Sequence, residues 1–145
     1  MNELEVVDIA HAIQLAVAPV FLISGIAALL GVLTNRLARI VERARRIEES
    51  AKAASPTELD AAHVQLRAAS QRARYMNVAI TLSTVAALLV ALVIALLFAG
   101  TFVPLNLAAY VAVLFVLAMV ALVCALISFL LEVRVAIAAL QIGAR

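Results

Sequence analysis

The stretch that decides the fold is residues 78–99, which read VAITLSTVAALLVALVIALLFA and contain no charge. A helix needs about 20 apolar residues to cross the hydrocarbon core of a bilayer. Two more charge-free stretches lie on either side of it, at residues 13–33 and 105–131. Because a lipid-exposed strand would leave its backbone groups unpaired, all three stretches are predicted to be membrane-spanning helices.

The composition of the whole chain agrees with a membrane protein. Of its 145 residues, 67% are hydrophobic and 14% are charged, and the mean hydropathy is +1.16. Soluble domains have about half apolar and about a quarter charged residues, so an ordinary soluble enzyme and a disordered tail are excluded. The net charge of +2 predicts no nucleic-acid partner. The single cysteine, Cys124, excludes an intrachain disulfide and a cysteine-based zinc site.

The distribution of basic residues predicts the orientation. Nine of the eleven Lys and Arg residues lie in residues 34–75, whereas residues 1–12 contain three acidic residues and no basic one. The positive-inside rule therefore places 34–75 and the tail 132–145 in the cytoplasm, and the tail 1–12 and the loop 100–104 outside. We expect a multi-pass membrane protein with the N-terminus outside and the C-terminus inside.

The segment 34–75 is predicted to be an antiparallel helical hairpin formed by extensions of the first and second spans. The sequence Ser55-Pro56-Thr57-Glu58 is typical of a helix start, with Ser55 as N-cap and Glu58 at the third helical position. The helix is expected to continue without a break from residue 56 to 99, and antiparallel pairing places Arg46 near Asp60 and His63. Its packing seam is predicted at alternating spacings of three and four: Leu59, Ala62, Leu66, Ala69, Ala73 and Met76.

An arginine stripe follows one face of the first hairpin helix. It consists of Arg36, Arg39, Arg43 and Arg46. One explanation is membrane topology, with the long side chains reaching the headgroups. The other is a site for an anionic lipid or phosphate, where each basic residue contributes about 1 kcal/mol. In a ring of subunits the stripe would surround the inner mouth of a pore.

Two of the spans carry polar residues along one face. In the third span they are Asn106, Tyr110, Cys124, Ser128 and Glu132. In the first span a face runs from Gln14 to Asn35. A polar stripe along a span faces protein or water rather than lipid. Two interpretations stay open, namely hydrogen bonds between helices and the lining of an aqueous path.

The second span carries small residues at every fourth position, a pattern that lets helices pack closely in lipid. They are Ala79, Ser83, Ala87, Ala91 and Ala95. At 3.6 residues per turn the stripe drifts by about 40° at each step. We therefore expect part of it to face a helix of the same chain and part to face another subunit.

The sequence offers no candidate for catalysis. His11 and His63 lie on opposite sides of the membrane in the predicted topology, and there is no glycine-rich phosphate loop and no nucleophile with a base at a suitable spacing. We expect no enzyme activity, no catalytic residue, no cofactor and no metal site.

Residues 12–48 read AIQLAVAPVFLISGIAALLGVLTNRLARIVERARRIE. This run resembles the signature of a group of small bacterial inner-membrane proteins catalogued as domain of unknown function 2721, and Thr34 to Ile40 are its most specific part. The resemblance extends over nearly the whole chain. It implies an all-α integral membrane protein with three spans in the same order, and it implies no activity.

Two functions remain in competition. The first is a homo-oligomeric ion channel or pore that uses the polar stripes of the first and third spans. The second is a structural or accessory membrane protein whose Arg-rich hairpin docks a cytoplasmic protein partner or an anionic membrane lipid.

Overall fold

The computed structural model describes residues 3–52, 55–100, 102 and 107–142. They form three helices, α1 (Glu3–Ala51), α2 (Pro56–Ala99) and α3 (Ala108–Ile142). Each helix is long and apolar enough to cross a membrane. The predicted all-α architecture with three candidate spans is confirmed, whereas the orientation and the cytoplasmic location of residues 34–75 stay predictions.

The helices continue beyond the charge-free stretches. As predicted, α1 runs through Thr34 without a break and α2 is continuous from Pro56 to Ala99. Much of the predicted N-terminal tail is helical, because α1 begins at Glu3 and the sequence has no glycine or proline before Pro19. Likewise α3 continues to Ile142 instead of ending near residue 131.

The start of α2 follows its predicted capping sequence. The backbone N–H and the hydroxyl of Ser55 both donate to Oε2 of Glu58, each over 2.7 Å. The N–H of Leu59 donates to the carbonyl of Ser55 over 3.0 Å. The bond from the Ser55 N–H satisfies a backbone donor that a helix start otherwise leaves unpaired, and the bond from Leu59 is the first regular bond of the helix.

The chain divides into two compact units. Unit 1 comprises Met1–Leu30 and Leu82–Val123, and unit 2 comprises Gly31–Thr81 and Cys124–Arg145. In unit 1 the fully buried side chains include Ile26, Val90 and Ala118. In unit 2 they include Leu33 and Met76. All three helices contribute residues to each unit.

Buried residues recur at heptad spacing along each helix. In α3 the buried positions are 118, 125 and 132. In α2 the fully buried residues alternate mainly by three and four: Met76, Ala79, Ser83, Ala86, Val90 and Val93. The predicted seam from Leu59 to Met76 is confirmed, since all six of its residues are half-buried or buried. Such spacing keeps one face of a helix against its neighbour.

Candidate functional site

One position in the heptad pattern of α3 holds a carboxylate. Ala118 and Ala125 are buried, and the next position in the series is Glu132, which is 0% exposed. An ionised carboxylate in such a place is costly unless it is paired. The pairing partners therefore decide whether unit 2 can accommodate Glu132.

Two arginines pair with this carboxylate, one on each of the other helices. Arg72 Nε donates to Glu132 Oε1 over 2.9 Å, and Arg72 Nη2 lies 2.9 Å from the same oxygen. Arg36 Nη2 lies 3.1 Å from Oε2. We call these three residues the Glu132 cluster. It joins α1, α2 and α3 within unit 2 through a single acidic side chain.

The two oxygens of Glu132 are bound differently. Oε1 accepts a directed hydrogen bond from Arg72. Oε2 attracts Arg36 as an ion pair, but it accepts no well-directed hydrogen bond within the described part of the chain. Arg36 has a further contact, since its guanidinium carbon lies 5.1 Å from the centre of the Phe129 ring. A guanidinium at this distance from an aromatic face is attracted by the ring.

The cluster is buried on its acidic side and accessible on its basic side. The side chains of Arg36 and Arg72 are 28% and 22% exposed, whereas that of Glu132 is 0% exposed. The carboxylate therefore depends on the arginines for its solvation. The side chains of both arginines remain partly exposed, so they are accessible to an anion from outside the chain.

An open groove of about 500 Å³ lies over the basic side of this cluster. We call it the arginine groove, and its lining residues are Val32, Arg36, Arg39, Ile40, Arg43 and Arg72. Arg39 and Arg43 are exposed. Among the described residues neither has an ion-pair or hydrogen-bond partner. The groove therefore combines two arginines fixed by Glu132 with two that carry an uncompensated charge.

The fourth residue of the predicted arginine stripe lies elsewhere. Arg46 was predicted to lie near Asp60 and His63, but its ion pair is with Glu42 of the same helix, with Arg46 Nε 3.0 Å from Glu42 Oε1. Arg45 pairs with Glu49 in the same way over 3.1 Å. Oppositely charged residues four positions apart on a helix lie close enough to interact, and Arg46 is not among the residues that line the arginine groove.

The members of the predicted polar stripes differ in their exposure. Gln14, Asn35, Tyr110 and Cys124 are exposed, whereas Glu132 is buried. Ser128 is half-buried, and its hydroxyl donates to the carbonyl of Cys124 over 2.9 Å. Asn106 lies outside the described residues. That the exposed members line an aqueous path stays a prediction.

The small-residue stripe of α2 changes its environment along the helix. Ala79 and Ser83 are fully buried, Ala87 is half-buried, and Ala91 and Ala95 are exposed. This is the drift expected of a four-residue repeat on a helix with 3.6 residues per turn. The hydroxyl of Ser83 is buried without a hydrogen-bond partner among the described residues.

The sequence pointed to Arg36 and Glu132 but missed Arg72. Because α1 ends at Ala51 and α2 begins at Pro56, antiparallel pairing makes paired residue numbers in the two helices add up to about 110. This places Arg36 level with position 74, within one turn of Arg72. Glu132 is the only acidic residue of α3. Its need for a basic partner, together with the pairing of Arg36 close to Arg72, could have identified Arg72 from the sequence.

A family model with the description "Protein of unknown function (DUF2721)" matches residues 16–142. The chain belongs to this family. The match contains all three residues of the Glu132 cluster and the whole arginine groove, so these features lie within the DUF2721 domain. Comparisons with curated proteins and with solved structures give no match. The DUF2721 description assigns no activity, and the function has to be inferred from the residues themselves.

Proposed function

We propose that this protein is an accessory protein of the bacterial inner membrane that binds anionic phospholipid through the arginine groove. In this proposal residues 34–75 and the C-terminus lie in the cytoplasm, and the chain catalyses no reaction. The observation that carries the proposal is the groove itself, which is lined by four arginines, of which two pair with the Glu132 carboxylate and two have no ion-pair partner among the described residues.

The position of the groove along the chain suits a lipid headgroup. Arg36 follows the charge-free stretch 13–33 by three residues, about 4.5 Å along a helix. Phosphate groups border the hydrocarbon core at this depth, and a basic pocket between helices on the cytoplasmic side is a common headgroup site. Val32 and Ile40 add apolar surface to the same groove.

The test compares lipid binding by the purified full-length protein. Delipidated protein in mild detergent is mixed with phosphatidylglycerol or phosphatidylcholine of identical acyl chains, and the bound lipids are counted by native mass spectrometry. We expect phosphatidylglycerol to be retained preferentially, and less so at high salt, because salt screens exposed charges. Equal retention of the two lipids would refute the proposal.

A homo-oligomeric pore is the second candidate, and exposed polar side chains favour it. Gln14 and Cys124 lie within charge-free stretches and are exposed in the single chain. Because polar side chains rarely face lipid, a second copy of the chain is a suitable cover for Gln14. A ring of four or more subunits by native mass spectrometry, with ion flux in vesicles, would support this function. A monomer would exclude it.

A further inference from the structure

We propose that the arginine groove binds a phospholipid whose headgroup contains two phosphate groups, such as a diphosphatidylglycerol, in preference to one with a single phosphate. This inference rests on the proposed function and specifies its ligand. It goes beyond a general attraction between basic residues and an acidic membrane surface, because it assigns one ligand to one defined set of side chains.

The first argument is the charge balance of the groove. Arg36, Arg39, Arg43 and Arg72 carry four positive charges, and Glu132 supplies one negative charge. The remaining charge is therefore +3. A headgroup with one phosphodiester would leave most of it uncompensated, whereas a headgroup with two phosphates neutralises the larger part.

The second argument is that the arginines form two pairs with different constraints. Arg36 and Arg72 are fixed to the buried carboxylate of Glu132, so they are already oriented before a ligand arrives. Arg39 and Arg43, which follow on α1, have no partner among the described residues. Preorganised donors lose less freedom on binding, so the first pair suits one phosphate and the second pair can close on the other.

The third argument is the spacing of these pairs. Arg36 and Arg43 are seven residues apart on α1, about 10 Å along the helix axis. A single phosphate reaches the guanidinium groups at both ends of this row only when their long side chains converge. Two phosphates joined by a glycerol bridge reach both pairs. Val32 and Ile40 lie in the same groove and offer apolar contact to the glycerol and the first acyl carbons.

The test uses full-length delipidated protein and three lipids with identical acyl chains. Diphosphatidylglycerol, phosphatidylglycerol and phosphatidylcholine are titrated separately, and the dissociation constants are measured by native mass spectrometry. We expect diphosphatidylglycerol to bind at least about tenfold more tightly than phosphatidylglycerol, which corresponds to about 1.4 kcal/mol.

Two variants with the same loss of charge locate the effect. Arg39→Gln combined with Arg43→Gln removes the two unpaired arginines of the groove, and both side chains are exposed, so the fold is not expected to change. Arg45→Gln combined with Arg67→Gln removes two exposed arginines that do not line it. We expect the first variant to lose at least about tenfold in affinity for diphosphatidylglycerol, and the second to stay within about twofold of the natural chain.

The outcomes separate this inference from the proposed function. Equal affinity for the two anionic lipids, both above phosphatidylcholine, would overturn the two-phosphate inference and leave the proposed function standing. Equal binding of all three lipids would overturn both. Equal losses in the two variants would overturn both the inference and the assignment of lipid binding to the groove, since affinity would then depend on the total charge of the protein. Displacement of the lipid by an equal concentration of inorganic pyrophosphate would assign the groove to a soluble anion instead.

Discussion

Replacing Arg72 by Gln is predicted to destabilise the protein more than replacing Glu132 by Gln. Breaking a buried ion pair by removing one partner costs roughly 3–5 kcal/mol, because the other charge stays buried and unpaired. Arg72→Gln takes away both nitrogens that lie 2.9 Å from Oε1. Arg36 still faces Oε2 at 3.1 Å, so we expect a loss of about 2–3 kcal/mol, at or below the lower end of that range.

The substitution of Glu132 by Gln leaves two positively charged arginines that can be hydrated by water. When Glu132 becomes Gln, the two arginines keep side chains that are 28% and 22% exposed, and their guanidinium groups can turn further towards water. Gln also keeps a carbonyl oxygen that accepts a hydrogen bond. We therefore expect Glu132→Gln to cost about 1 kcal/mol, in line with one hydrogen bond of ordinary net strength.

The assay is unfolding of the purified protein in mixed micelles of mild detergent and dodecyl sulfate, followed by the loss of helical circular dichroism. The double variant completes a thermodynamic cycle. We expect it to be more stable than Arg72→Gln alone, because it carries no buried carboxylate. Arg46→Gln is the matched control, since its ion pair with Glu42 is exposed and contributes less than about 1 kcal/mol. If Glu132→Gln is the worse single variant, or if the two effects add, the reasoning from burial is wrong.

The same unfolding assay checks three further predictions. Leu33→Ala should cost about 2–4 kcal/mol because Leu33 is fully buried, whereas Val32→Ala, at a neighbouring exposed position, should cost under about 1 kcal/mol; similar losses would contradict the assigned seam. Ser83→Ala should be neutral or stabilising by up to about 1 kcal/mol, since it removes a buried hydroxyl without a partner, and a clear loss would mean that this hydroxyl is bonded. Ser55→Ala removes the hydroxyl that donates to the Glu58 carboxylate and should destabilise the start of α2 by about 1 kcal/mol, and amide exchange of the first turn that stays unchanged would argue against a role for this bond.

Most of the helical architecture could be predicted because it depends on local rules. The absence of charge over residues 78–99 is enough to predict a span. The sequence around Ser55 determines where α2 begins, and alternating spacings of three and four predict the seam from Leu59 to Met76. The helix ends at Glu3 and Ile142 were missed, because a lack of charge locates a span and says nothing about how far its helix continues.

The candidate site was harder to predict because it depends on contacts between distant parts of the chain. Glu132 was grouped with Tyr110 and Cys124 on a helical wheel, which shows a common side but does not show where a neighbouring helix covers it. The structure buries Glu132 and exposes the other two. The position of Glu132 in series with Ala118 and Ala125 would have placed it in the seam, and burial would then have required the basic partners that α1 and α2 supply.

The order of the cluster in the chain has a consequence for how the protein is made. Arg36 and Arg72 both precede Glu132 in the chain. The ribosome therefore synthesises α1 and α2, each with one of these arginines, before it synthesises the carboxylate that pairs with both. Until Glu132 emerges, Arg36 and Arg72 repel each other, and the seam between the first two helices is weakest where the third will join. Unit 2 can therefore complete its packing only after α3 has been synthesised, when Glu132 pairs with both arginines.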